Sequence, residues 1–164
     1  MILRYPPGVG GGGHVVTDLW LAIAHHILVF SLVIMLAAEA ALVREGMTAS
    51  DIRRIAGLDM GYGATAFLIV GVGIFRVIFG AKGYVYYIEN VWFWAKMGTF
   101  AVIGILSVPP TLLFRVWMTA LKADASFSPP ASEVSAIRSY VRWEVRLLIL
   151  VAVFAATMAR YRDF

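Results

Sequence analysis

Residues 19–43 read LWLAIAHHILVFSLVIMLAAEAALV, a run with one acid, Glu39, two histidines, His25 and His26, and no lysine or arginine. A helix of this length extends about 37 Å, more than the roughly 30 Å of a bilayer's hydrocarbon core. In lipid the backbone must satisfy its own polar groups, and within one such segment only a helix does so. Three further runs share this character, at residues 58–79, 91–114 and 143–159. The last is the shortest and is extended backwards by a helical stretch at 132–142 that starts near Ser132. The pattern predicts an all-α integral membrane protein. It is expected to be an antiparallel up-down four-helix bundle over residues 18–164, after an arm at 1–17 that Pro6, Pro7 and the glycines at 10–13 keep from forming a good helix.

Composition agrees with that reading. Of 164 residues, 61% are hydrophobic and 15% charged, and the mean hydropathy is +0.82. A soluble domain carries roughly 45–50% apolar and about 25% charged residues, so a globular chain this apolar would lack polar residues to cover its surface. With no cysteine, disulfides and thiolate metal sites are excluded. The net charge of +4 is spread through short loops rather than gathered on one basic face, which fits an anionic leaflet better than a nucleic acid. No phosphate loop, no Ser/His/Asp set and no His-x-x-x-His spacing is present, which argues against a hydrolase or a nucleotide-driven machine.

The loops differ in chemistry. Loop one, at 44–57, is polar and holds a helix cap around Thr48 and Asp51. Loop two, at 80–90, is aromatic, with Tyr84, Tyr86 and Tyr87 followed by Trp92 and Trp94, as in an interfacial belt. Trp20, Trp117 and Trp143 also fall near predicted boundaries, and anchoring explains all five tryptophans. Loop three, at 115–141, contains Pro129 and Pro130, and Pro109-Pro110 is expected to kink or end the third helix. Loops one and three carry Arg44, Arg53, Arg54, Arg115, Lys122, Arg138, Arg142 and Arg146. The opposite side carries Arg4, Lys82, Arg160 and Arg162, with Arg76 and Lys96 at the boundary. The positive-inside bias therefore puts loops one and three in the cytoplasm and both termini outside, which for a bacterial inner membrane means the periplasm.

Ionisable residues within a span are costly and face a bundle interior or an aqueous cavity. Helical phase aligns Asp18, His25, Leu32, Leu36 and Glu39 on the first span. It aligns Tyr62, Thr65, Gly73 and Arg76 on the second, and Lys96, Thr99 and Ser107 on the third. The fourth offers only Glu144, near its start. In an antiparallel arrangement His25, Arg76 and Lys96 share an outer depth. Glu39, Asp59, Arg115 and Glu144 share an inner one, where surface salt bridging is the expected role. Gly57 and Gly61 form a small-xxx-small pair suited to close helix approach.

The outer group is the candidate site. A neutral imidazole in a helix bundle is a good axial ligand for haem iron, which makes His25 the candidate metal ligand and haem b the candidate cofactor. Arg76 and Lys96 suit the propionates of a tetrapyrrole or a quinone headgroup, and a lysine held in lipid suits proton transfer. Arg76 and Lys96 are thus the catalytic candidates, and His25, His26, Arg76 and Lys96 the cofactor-binding ones. Against these stand snorkelling of Arg76 and Lys96 to the interface and a merely packed histidine. His26 points about 100° away from His25, so no second axial ligand is evident.

From residue 18 to about 160 the chain resembles a family of predicted bacterial membrane proteins with no established activity. The resemblance rests on HHILVFSLV at 25–33, AAE at 37–39, LDMGYG at 58–63, GIFRVIFGAKG at 73–83, FWAK at 93–96 and LSVPPT at 106–111. It implies four helices. A looser similarity, a histidine in the first span and the Trp94-Ala95-Lys96 element opening the third, points to HemJ-type protoporphyrinogen oxidases and CopD-like membrane domains. That similarity implies a haem-containing site at His25 and Lys96. Where the HemJ pattern has Trp-x-x-Gly, this chain has LAAE at 36–39, so tetrapyrrole binding carries over and the reaction does not. The expected function is a haem-, tetrapyrrole- or quinone-binding redox protein. The alternatives are a small accessory subunit of a larger membrane complex and, third, a small transporter. The expected partners are the lipid bilayer, and a homo-oligomer or larger complex.

Overall fold

The computed structural model describes residues 11–80 and 83–160, with side chains from residue 16 onwards. Residues 1–10 of the expected arm, and Arg4, Lys82 and Arg162 of the orientation count, lie outside the described residues. The described chain is all-helical: α1 (Gly11–Leu42), α2 (Ala49–Phe79), a short α3 (Tyr84–Ile88), α4 (Val91–Ala123) and α5 (Ala131–Arg160).

The helices run longer than hydropathy alone predicts. α1 is already helical at Gly11, so the described part of the expected arm, residues 11–17, is helical. α2 begins inside the expected first loop because Thr48 and Asp51 form a reciprocal cap. Thr48 Oγ1 accepts the Asp51 N–H at 3.3 Å, and the Asp51 carboxylate accepts the Thr48 N–H at 3.0 Å. This satisfies two N-terminal donors at once, and Arg44 reaches the same carboxylate at 3.5 Å. The true connection is a tight turn whose Gly46 has φ +71°, a conformation glycine adopts without a Cβ penalty. In loop two, α3 intervenes.

α4 starts where the Asn90 side chain accepts the Trp92 N–H at 2.9 Å and passes unbroken through Pro109 and Pro110. The expected break does not occur. The two prolines remove two backbone donors, but neighbouring helices and hydroxyl side chains can compensate in a membrane helix. The third loop therefore shrinks to residues 124–130. Its first residue, Asp124, accepts from Ser126 Oγ at 2.6 Å and from the Ser126 N–H at 2.8 Å. These bonds, the hydroxyl's first, hold its carboxyl below the usual range.

The long helices neighbour one another in a ring: α1 against α2, α2 against α4, α4 against α5 and α5 against α1, with α3 leaning on α2 and α4. Contacts along α1 and α2 run in opposite order, Asp18 beside Gly80, His25 beside Gly73 and Met35 beside Gly61. Along α4 and α5, Trp92 meets Phe154 and Trp117 meets Glu133. The end holding Asp18 and Gly80 is labelled outer, following the charge bias.

Three helices are long and apolar enough to cross a membrane: Val16–Leu42 of α1, Ala49–Phe79 of α2 and Val91–Ala123 of α4. The expected fourth span, in α5, is not among them. Glu133, Arg138, Arg142, Glu144 and Arg146 stud its first half, and the apolar remainder, residues 147–159, extends only about 20 Å.

Burial divides the molecule by level. Around the outer and middle parts of α1, α2 and α4, large apolar side chains such as Phe30, Ile34, Phe67, Ile74 and Ile105 point outwards. Enclosed residues concentrate at the inner end, among them Val43, Met47, Ile52, Ile55, Phe114, Trp117, Val134 and Ile137, with Leu32, Leu36 and Ile103 enclosed at the middle. The charged residues Arg53, Arg54, Lys122 and Arg138 surround them on the surface. α4, at 33 residues, is about 50 Å long, so its inner portion projects beyond the hydrocarbon core. Outwards-facing apolar groups suit lipid, whereas the inner end packs as a water-driven core. Trp117, expected as an interfacial anchor, belongs to that core.

The glycine pair separates into two roles. A Cβ at Gly61 would meet Met35 Sδ and Cε at 3.4 Å, whereas nothing lies within 4 Å of one at Gly57. Only Gly61 faces a helix, so the pair does not make a close-packed seam. Gly57→Ala is expected to stabilise the protein by about 0.5–1 kcal/mol through helix propensity. Gly61→Leu is expected to lower the unfolding midpoint by forcing α1 from α2. Thermal unfolding of both variants in mild detergent checks the opposite signs.

Candidate functional site

Three side chains from three helices gather at the outer end, and Trp92 lies at the same level of α4 against Phe154 of α5. His25 projects from α1 towards α2, where a Cβ at Gly73 would lie 3.9 Å from its Cε1. The charges of Arg76 on α2 and Lys96 on α4 both act on its imidazole, and Arg76 also acts on Lys96. The predicted trio thus shares one neighbourhood. Helical phase explains why: Gly73 and Arg76 sit one turn apart on the α2 face that meets α1, and Lys96 opens the α4 face that meets α2. Lys96 Nζ also sits 5.4 Å from the centre of the Phe93 ring.

Hydrogen bonding at this level is incomplete. His25 Nδ1, Arg76 Nε and Trp92 Nε1 are buried and have no hydrogen-bond partner. Buried polar atoms are nearly always paired, and each exception calls for an explanation. Arg Nε–H and the indole N–H can only donate, so what they lack is an acceptor. Of the described acids at this end, Asp18 lies beside Gly80 and Glu89 is exposed, and among the described residues the one ion pair is Arg44–Asp51 at the other end.

Trp92 was expected only as an anchor. Its signal was the four-residue step to Lys96, which puts both on one face of α4. His26, one residue from His25, does not join the group. It is exposed, and its Nδ1 lies 2.6 Å from the Ala22 carbonyl one turn back. Its ring stands edge-on to His25 at 6.3 Å. Above the site, Tyr86 Oη donates to the Met158 carbonyl at 2.8 Å and Trp94 Nε1 to the Ile88 carbonyl at 2.9 Å. These bonds fix α3 across the outer ends of α4 and α5.

The inner layer departs from expectation. Glu39, Asp59 and Glu144 are buried, at 3%, 7% and 2% exposure, while Arg115 is exposed. They make no surface salt bridges, because α1, α2 and α5 turn these carboxyls into the ring instead. Tyr62 Oη donates to Glu144 Oε2 at 2.9 Å, and Thr111 Oγ1 donates to Asp59 Oδ1 at 2.8 Å. Glu39 faces both other acids. Thr111 was missed, although it extends the Lys96–Thr99–Ser107 stripe by one turn. Among the described residues no cluster of His, Asp or Glu is arranged to hold a metal ion.

Two substitutions separate the forces in this layer. Tyr62→Phe removes the donor to a buried carboxyl and is expected to cost about 1–3 kcal/mol. Glu39→Gln replaces a buried acid by a neutral side chain of the same shape, and is expected to hold or raise the melting temperature. Differential scanning fluorimetry of the two variants reads both signs.

A model of one family matches residues 17–161, under the description predicted membrane protein (DUF2214). The chain belongs to this family. The match covers all of the helical region but the first turns of α1, and includes every residue of both polar layers. No curated protein and no solved structure matches the chain. The looser similarity to HemJ-type oxidases and CopD-like domains finds no support in these comparisons.

Proposed function

We propose that the outer layer binds an amphiphile rich in acceptor oxygens within the membrane, either a tetrapyrrole, whose carboxylates also bring negative charge, or a quinone. The supporting observation is the set of unpartnered buried atoms on three helices, His25 Nδ1, Arg76 Nε and Trp92 Nε1, beside the Lys96 ammonium. Two obligate donors and two cations favour a ligand that brings acceptors and negative charge. A water molecule would satisfy the donors but not the charge.

The residues fit haem b in a limited way. His25 would hold its iron, and Arg76 and Lys96 would hold its propionates. Bound there, haem would supply one-electron transfer. The protein's own contribution is to fix the imidazole against Gly73, to neutralise the acid groups and to exclude water beneath α3. The proposal includes a fourth crossing by α5, with Trp143 and Arg146 at its inner boundary. That completes an antiparallel up-down four-helix bundle in a bacterial inner membrane, with both termini periplasmic.

The test is the absorption spectrum of gently purified protein, with and without added haem and quinone analogues. A Soret band that disappears in His25→Ala supports the haem form. Saturable quinone binding lost in Trp92→Phe supports the quinone form. Neither signal in the wild type overturns the proposal.

A further inference from the structure

At the inner end, Arg138, Arg142 and Arg146 stand one helical turn apart on α5 and rise about 12 Å along it. They line a cavity of about 290 Å³ between α5 and α1, whose apolar wall includes Ala40 and Val43. A second cavity of about 210 Å³ shares Arg138 and Arg142 and has Glu45 on its rim. All three arginines are exposed, and among the described residues none is ion-paired. Arg146 lies 4.9 Å from the centre of the exposed Trp143 ring, and interfacial tryptophans mark headgroup depth.

Depth agrees with that marker. Tyr62 bonds Glu144 across the ring, and the 17 residues from Tyr62 to Phe79 span about 26 Å. The hydrocarbon core is about 30 Å thick. The arginines flanking Glu144 therefore sit at the inner headgroup level.

We infer that this groove is a binding site for an anionic phospholipid of the inner leaflet. Its phosphate would be held by the guanidinium groups, and its glycerol backbone would lie along Ala40 and Val43. Guanidinium forks match phosphate oxygens in pairs. Basic pockets between helices on the inner side are suited to anionic headgroups. An apolar wall directly beside a row of guanidinium groups favours an amphiphile over a soluble anion. The inference is independent of the outer site.

Native mass spectrometry of the full chain, released from nanodiscs of equal phosphatidylglycerol and phosphatidylcholine, tests it. Retained phosphatidylglycerol is expected to exceed phosphatidylcholine by about tenfold or more. The Arg138→Gln/Arg142→Gln/Arg146→Gln variant should fall to parity. Arg142→Gln alone, which leaves two arginines to support the fold, should reduce the preference by about fivefold. Arg53→Gln/Arg54→Gln, at the same end but outside the groove, should retain it. Parity in the wild type, or an unchanged preference in Arg142→Gln, overturns the inference. So does displacement of phosphatidylglycerol by millimolar inorganic phosphate, which would mark a general anion site.

Discussion

Trp117→Ala is expected to cost about 3–5 kcal/mol of stability, the largest loss of any single substitution considered. Trp117 is fully enclosed, at 0% exposure. Its ring meets Phe114 edge-on at 5.5 Å, and its Nε1 donates to Glu133 Oε2 at 2.6 Å. Truncation therefore opens a large cavity where α4 meets the first turn of α5, and leaves a half-buried carboxylate without its donor. Position along the helix matters as much as burial. Trp117 lies 26 residues beyond Val91, about 39 Å along α4, past the hydrocarbon core, where water drives burial.

Ile103 is equally enclosed, at 2% exposure, but lies about 18 Å along the same helix, at mid-membrane. There, separated helices find lipid tails as apolar as each other. Ile103→Ala is expected to cost clearly less per atom removed. Unfolding both variants by denaturant in mild detergent measures the difference. Equal losses per atom would place Trp117 and Ile103 in the same solvent.

The second large effect is on binding. Arg76→Gln and Lys96→Gln each remove a charge-assisted contact to an anionic ligand, and such contacts contribute about 1.5–3 kcal/mol. Affinity for haem or a carboxylated analogue is expected to fall roughly 10- to 100-fold for each variant. The change should persist at high salt, since buried charges are little screened. Spectroscopic titration in detergent reads the fold-change, and circular dichroism confirms that helix content is kept. Arg53→Gln, at the far end of α2, should leave the affinity unaltered. Wild-type affinity in both outer-layer variants would reduce Arg76 and Lys96 to snorkelling cations.

Hydropathy and helical phase made much of this molecule legible. Four long apolar runs became four long helices. His25, Arg76 and Lys96 share a neighbourhood, because phase predicts faces well and antiparallel neighbours predict depth. What escaped the reading has physical causes. The first nine residues of α2 include Ser50, Asp51, Arg53 and Arg54, so hydropathy assigned them to a loop, although the cap at Thr48 and Asp51 marked the true start. Proline propensity argued for a kink or an end at Pro109-Pro110, and the helix continues through both.

Glu39, Asp59 and Glu144 lay close enough to the predicted boundary to read as surface residues. Only the projection of the helices beyond the bilayer reveals that this boundary is still bundle interior. Trp92 and Trp117 share a residue type with the belt tryptophans, and composition cannot separate an anchor from a core residue. The unpartnered nitrogens of the outer layer have no sequence signature at all, since they arise from what three helices fail to bring within reach.

α1, α2 and α4 present His25, Arg76 and Lys96 to one another at the outer end. The chain has no cysteine, so cysteine pairs report cleanly. The most direct measurement is cross-linking of His25→Cys/Lys96→Cys in native membranes with a short bis-alkylating reagent. Met35→Cys/Gly61→Cys, where α1 and α2 touch, serves as the positive control. The account predicts an intramolecular cross-link at 25–96 comparable in yield to the control. A control that cross-links while the 25–96 pair stays reduced would contradict it.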